Sequence, residues 1–199
     1  YYAGLVPCIT AAMAAYGVSA LMGVEPTRFT VSMPRVTLEL MLPVVALSIL
    51  CALVSILFCT TLHNAERLYK RFFKNPYVRA LAGGLIVIGL TILVGNQTYN
   101  GTGMNIITGC MEGKTVFPLA FLLKMVFTAA TLGAGYKGGE IVPTLFIGST
   151  FGTFFASAFG CSIPLCAAVG MGAVFCGVTN SPITSLMICF ELFGFDGMP

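Results

Sequence analysis

Long apolar runs separated by short polar or glycine-rich stretches make up most of this sequence. About 20 apolar residues suffice for an α-helix to cross the hydrocarbon core of a bilayer. The alternation of apolar and polar residues that marks a barrel strand is absent. We therefore predict an all-α, polytopic membrane protein whose longest apolar segments are 2–22, 37–62, 80–94 and 115–134.

Other apolar segments are too short to cross a bilayer as single helices. MNIITGCMEGK (104–114) predicts a re-entrant or interfacial helix, and the polar turn GNQTYNGTG (95–103) precedes it. Short, broken helices are typical of transporters, which place their sites where such helices meet near the bilayer midplane. The remaining short segments are 144–160, 164–178 and 182–195, the last with Asn180 or Ser181 as N-cap and Pro182 at its first position.

Small residues recur every four positions in two of these segments. One stripe comprises Gly148, Gly152, Ala156 and Gly160; the other comprises Ala168, Gly172 and Cys176. Stripes of small residues allow two helix backbones to approach closely. We expect these two helices to cross in tight contact.

Composition supports the membrane assignment and excludes several functions. Hydrophobic residues make up 57% of the chain and charged residues 9%, with a net charge of +3 and no basic stripe of the kind that binds nucleic acid. The 8 Cys residues contain no CxxC pair, so we expect no metal site or disulfide framework. No motif of an enzyme or a cofactor site is present, so we predict neither catalysis nor a bound cofactor.

One loop sets the predicted orientation. Five of the ten Lys and Arg residues lie in HNAERLYKRFFKNPYVR (63–79), after a polar connection at 23–35 and the apolar segment 37–62. Cytoplasmic loops carry an excess of basic residues, which places residues 63–79 in the cytoplasm. A loop that binds lipid headgroups would have the same sidedness.

The candidate site is the glycine-rich break around GYKGGEIVP (135–143). We predict that a helix restarts at Pro143, because proline fits the first turn of a helix. That start would leave the amides of Val142, Thr144 and Leu145 free to bind an anion, since a helix N-terminus has unpaired N–H groups and partial positive charge. An ordinary Gly/Pro kink or a surface loop between two spans is the alternative.

Two ionisable residues lie within apolar segments. Lys124 could snorkel to the membrane surface, pair with an acid, or line an anion pathway. Glu191 could relay protons or cations, bind a buried partner, or lie at the membrane edge.

In their order and spacing these features resemble the second half of the CLC family of chloride channels and proton-coupled chloride transporters. The most specific matches are GYKGGEIVP (135–143), similar to the family's GGxFxP segment, and GMGAVFCGVTNSPITSLMICFEL (170–192), which ends in a helical acid. The resemblance implies one inverted-repeat half of a CLC-like fold with oblique, broken and re-entrant helices.

The resemblance also implies a homodimer in the bilayer, with chloride or another small anion held by backbone amides in each subunit. Carried over by position, the coordinating amides belong to Glu140 and Ile141. The supporting residues are Gly138, Gly139, Val142 and Pro143.

The chain departs from the family pattern in two ways. Ile141 replaces an aromatic residue, and Glu140 brings a carboxylate that would repel an anion, so we expect its side chain to point away, toward Lys137. The family's GSGIP and GREGP motifs and its late tyrosine are absent, which suggests a single transmembrane region (1–199) that is a fragment of a longer chain.

The leading functional hypothesis is therefore transport of chloride or fluoride by a channel or a proton-coupled exchanger. It predicts a helix start at 139–145 that is buried and faces a cavity. A non-transporting membrane scaffold predicts tight helix packing without a polar cavity at Gly139. A transporter of an organic anion would need a pocket lined by Arg or several hydroxyls.

Overall fold

The computed structural model describes residues 2–24, 28–29 and 38–194, and it places eight α-helices there. The predicted connection at 23–35 lies largely outside the described residues. The helices are α1 (Tyr2–Leu21), α2 (Leu38–Phe72), α3 (Pro76–Val94), α4 (Met104–Met111), α5 (Ala120–Gly133), α6 (Ile141–Phe159), α7 (Ile163–Thr179) and α8 (Pro182–Phe193).

Length and hydropathy allow three of the described helices to cross a bilayer: α2 from Leu40 onward, α3 and α6. Of the others, α1 counts only as the shorter apolar helix Val6–Leu21, and α5, with 14 residues, is shorter than the predicted segment 115–134. The prediction that 144–160 is too short to cross is wrong, because α6 begins at Ile141 and is 19 residues long. The 8 residues of α4 rise only about 12 Å, far less than a hydrocarbon core of about 30 Å. The prediction of a helical membrane protein with broken and re-entrant segments is confirmed.

Helix α2 continues well beyond its predicted end. The expected loop at 63–79 is helical up to Phe72, and only residues 73–75 separate α2 from α3. Polar residues extend the helix because Glu66 and Lys70, one turn apart, form an ion pair of 2.5 Å on its exposed face. Asn75 then caps α3 by accepting a hydrogen bond from the amide of Tyr77.

Helix α6 lies at the centre of the packing. It contacts α2, α4, α5 and α7, most extensively α7. A Cβ atom built on Gly148 would lie 2.4 Å from the carbonyl oxygen of Gly170, and one on Gly152 would lie 2.1 Å from that of Cys166. The predicted close crossing of the two helices is confirmed, because only glycine leaves room for backbones this near.

The α7 residues that face α6 are not those of the predicted small-residue stripe. The residues against α6 are Cys166, Ala167, Gly170 and Met171, whereas Gly172 faces α8, where an added Cβ would lie 2.6 Å from the sulfur of Cys189. Helix α8 begins at Pro182 with Ser181 as N-cap, as predicted. The hydroxyl of Ser181, however, donates back to the carbonyl of Thr179 and does not cap the helix.

Candidate functional site

The predicted break separates α5, which ends at Gly133, from α6, which begins at Ile141 with Glu140 as N-cap. The amide of Thr144 donates to the carbonyl of Glu140 at 3.1 Å, which closes the first turn of α6. The amides of Ile141 and Val142 therefore have no acceptor within the helix. The predicted start at Pro143 and the predicted free amide of Thr144 are both wrong. The assignment of the coordinating amides to Glu140 and Ile141 stays a prediction.

A cavity of about 170 Å³ lies beside this helix start. Gly138, Gly139 and Pro143 form one side of it. Its other walls come from α3, the turn after α3, and α5: Val87, Tyr99, Asn100, Gly101, Lys124, Phe127, Thr128, Thr131 and Leu132. We refer to this space as the first cavity. It combines backbone at a helix start with an ammonium group and threonine side chains.

Lys124 is the charged group of the first cavity. Its side chain is buried, with 3% of its surface exposed, and its ammonium donates to the carbonyls of Tyr99, at 3.0 Å, and Gly101. It also lies 5.2 Å from the centre of the Phe146 ring. Snorkelling is therefore the wrong explanation, because the ammonium is held inside the protein by the turn at 95–103.

Aromatic packing fixes that turn against the core. The Tyr99 ring stacks on Phe127 and meets the edge of Phe146, and only 7% of Tyr99 is exposed. Burial raises the pKa of the Tyr99 phenol above its ordinary value, since a phenolate is costly to desolvate. The hydroxyl in this part of the cavity therefore stays neutral at physiological pH.

A second cavity, of about 420 Å³, lies on the α2 side of the break. It is lined by Cys59, Leu62, His63, Glu66, Leu132, Gly133, Tyr136, Lys137, Gly138 and Glu140. Leu132 and Gly138 belong to the linings of both cavities, so the break lies between them.

Glu140 contributes to the second cavity and is not part of the lining of the first. Its predicted partner Lys137 lines the same space. The ion pairs found among the described residues, Glu66–Lys70 and Glu112–Lys114, do not include Glu140.

The predicted site residues occupy one continuous stretch, but that stretch is less buried than expected. Residues 135–141 are exposed on this chain, Val142 and Pro143 are half-buried, and full burial begins at Thr144. The two cavities border the break and are themselves partly open, which explains the exposure. Glu191 is also exposed, in the last turn of α8.

The sequence analysis missed most of the first cavity, including Tyr99, Thr128 and Thr131. One signal was readable: Lys124, Thr128 and Thr131 follow the i, i+4, i+7 spacing that places residues on one helix face. Among the described residues, no three His, Cys, Asp or Glu side chains lie together as a metal site requires.

Comparison with known proteins matches the family model described as voltage gated chloride channel to residues 2–199. A chloride/fluoride channel protein of Pseudomonas syringae pv. tomato is 33% identical over 97% of this chain and 44% of its own length. The H(+)/Cl(-) exchange transporter ClcA of Vibrio parahaemolyticus is 28% identical over 69% of this chain and 32% of its own.

A solved structure has the same fold. The crystal structure of a CLC-type fluoride/proton antiporter superimposes with a TM-score of 0.87 at 32% identity, covering 96% of this chain and 49% of that one. The chain thus spans about half the length of the Pseudomonas relative and of the antiporter.

Proposed function

Because the chain belongs to the voltage-gated chloride channel family, we propose that it forms part of a transmembrane pathway for a small inorganic anion, chloride or fluoride. The proposed site is the start of α6, with the amides of Glu140 and Ile141 as ligands and Gly138, Gly139, Val142 and Pro143 supporting them. Two relatives support the choice of ion, since one is named a chloride/fluoride channel and the other a fluoride/proton antiporter.

The observation that carries this proposal is the position of the helix start between two cavities. The amide N–H groups of Ile141 and Val142 have no hydrogen-bond acceptor within α6. The peptide dipoles of this 19-residue helix add partial positive charge at the same end. An anion held by amides is bound without the full charge of an Arg or Lys at the ligand position. Such binding is weak enough to allow release, which a conduction pathway requires.

Cavity size favours a small ion over an organic anion on the α5 side of the break alone. Pockets for small organic ligands typically measure about 300–1,000 Å³. The first cavity, beside Gly139, measures about 170 Å³ and is below that range, whereas the second cavity measures about 420 Å³. The scaffold hypothesis explains the tight crossing of α6 and α7 but leaves the cavity at Gly139 without a role.

The proposal extends to the assembly and its orientation. We place the full-length protein in the bilayer as a homodimer with one pathway per subunit, and we place the basic segment 63–79 in the cytoplasm because five of its residues are Lys or Arg. Accessibility of a cysteine at position 74 to a membrane-impermeant reagent tests the orientation. Labelling from outside intact cells would contradict it.

A single-atom replacement tests the amide ligand directly. In the full-length protein in liposomes, the N–H of Ile141 is replaced by an ester oxygen, and anion efflux is measured against anion concentration. A hydrogen bond to a charged group contributes about 1.5–3 kcal/mol, so we expect the half-saturating concentration to rise about tenfold or more.

The matched control is the same ester at Ile183, an exposed first-turn residue of α8 that lines neither cavity. Efflux with the control ester should equal that of the unmodified protein. Equal affinities for the Ile141 ester and the unmodified protein would refute the amide ligand. Simultaneous recording of proton movement distinguishes a channel from an exchanger.

A further inference from the structure

The break contains two helix ends of opposite polarity. Helix α6 presents its positive N-terminus at Ile141, and α5 presents the carbonyls of its negative C-terminus at Gly133 and Ala134. The two ends border one space, because Gly133 and Glu140 both line the second cavity. An anion in that space lies near the carbonyl end of α5 as well as the amide end of α6, and a cation is needed to offset the carbonyls.

Arg79, in the first turn of α3, supplies such a cation. Its Nε donates to the carbonyl of Ala134 at 3.1 Å, although the two residues are 55 positions apart in sequence. The guanidinium lies flat against Gly135, where an added Cβ would be 2.9 Å from Nη2 and 3.5 Å from Cζ. Gly135 has a φ of 95°, so glycine suits both the backbone conformation and the close contact.

The surrounding packing holds α3 against this helix end. A Cβ on Gly83, one turn further along α3, would lie 2.2 Å from the Cβ of Ala134. The hydroxyl of Tyr136 donates to the carbonyl of Ala80 at 2.9 Å. The segment after α5 is thus attached to the first turns of α3 through Arg79, which carries charge, and through Tyr136, which does not.

Among the described residues Arg79 forms no ion pair, and its guanidinium donates to the carbonyl of Ala134. Glu66, the acid on the neighbouring end of α2, forms its ion pair with Lys70 and also interacts electrostatically with Arg79. Lys137 and Glu140 line the second cavity, and Arg79 is not among the residues that do so. Lys74, on the same short connection between α2 and α3, is exposed.

We infer that Arg79 is a positioning residue for the proposed anion site: its charge offsets the carbonyl end of α5, so that the positive start of α6 determines the sign of the ion bound in the break. This inference rests on the proposed function. Tyr136 differs from Arg79, because its hydroxyl holds the same segment by a hydrogen bond but carries no charge.

The test compares variants of the full-length protein in liposomes, with chloride and fluoride efflux measured against anion concentration. We expect Arg79→Gln to raise the half-saturating concentration about three- to tenfold. Arg79→Lys, which keeps the charge, should stay within about twofold of the unaltered protein.

Lys74→Gln is the matched control, because it removes a charge of the same sign five residues earlier, on the connection before α3, at an exposed position. If Lys74→Gln raises the half-saturating concentration as much as Arg79→Gln, general surface potential is the cause and the inference is overturned. It is also overturned if Arg79→Gln lowers only the melting temperature, as a purely structural contact would.

Two further measurements keep the outcome decisive. If Arg79→Gln does not assemble, replacement of Arg79 by citrulline keeps the Nε donor, removes the charge and carries the same expectation. The Ile141 ester serves as the independent check on the site itself. A response to that ester without a response to Arg79→Gln refutes the role of Arg79 and leaves the proposed function intact.

Discussion

The ammonium of Lys124 donates to the carbonyl of Tyr99, 25 residues earlier in the chain, at 3.0 Å. This bond joins the middle of α5 to the turn that follows α3. The ammonium also binds the carbonyl of Gly101, and the Tyr99 ring packs on Phe127 and Phe146. A charge buried in an apolar segment here serves as the donor that orders an otherwise irregular turn.

Replacement of Lys124 by Met should therefore destabilise the protein. Met fills similar space but leaves the carbonyls of Tyr99 and Gly101 without their donor. The loss at the buried Tyr99 costs about 1–3 kcal/mol, and the loss at Gly101 costs less because Gly101 is exposed to solvent. Thermal unfolding of the detergent-purified protein measures the change. Lys114→Met, at an exposed residue paired with Glu112, is the control and should shift the melting temperature little. Similar shifts for the two variants would contradict this role for Lys124.

The crossing of α6 and α7 should not tolerate a single methyl group at Gly152. Its Cβ would lie 2.1 Å from a backbone oxygen, that of Cys166, and a backbone atom in a packed helix cannot move aside as a side chain can. We expect Gly152→Ala to cost at least the 1–3 kcal/mol typical of overpacking and to reduce the yield of monodisperse protein. Gly89→Ala, where nothing lies within 4 Å of the added Cβ, should behave as the unaltered protein in size-exclusion chromatography.

A side chain at Gly139 should obstruct the proposed pathway without disturbing the fold. Nothing lies within 4 Å of a Cβ at this position, and Gly139 lines the first cavity. Gly139→Leu should therefore reduce anion efflux about tenfold or more, because the added side chain occupies space beside the α6 amides, while the melting temperature stays close to that of the unaltered protein.

Gly89→Leu adds the same bulk at an equally open position of α3 that lines neither cavity. Its efflux should match that of the unaltered protein. Full efflux through Gly139→Leu would place the pathway elsewhere.

Local sequence signals predicted that the helices exist more accurately than they predicted the residues at which the helices begin and end. Ser181 and Pro182 mark the start of α8 correctly, because an N-cap and a first-turn proline form a local pattern. Pro143 misplaced the start of α6 by two residues for a physical reason. None of the amides in the first turn is needed for helical bonding, so proline fits any of these positions and does not distinguish among them.

The candidate site was only partly predictable for a different reason. The stretch 138–143 is local in sequence and could be found from its glycines and its proline. The contacts of Lys124 with Tyr99 and of Arg79 with Ala134 join residues 25 and 55 positions apart. Such contacts depend on how α3, the following turn and α5 pack together, and the apolar pattern of each helix does not specify its neighbours.

Leu132 and Gly138 belong to the walls of both cavities. An added Cβ on Gly138 would lie 3.0 Å from Cδ2 of Leu132, so the two residues are close neighbours in this shared wall. A substitution at Leu132 would therefore reshape both spaces at once.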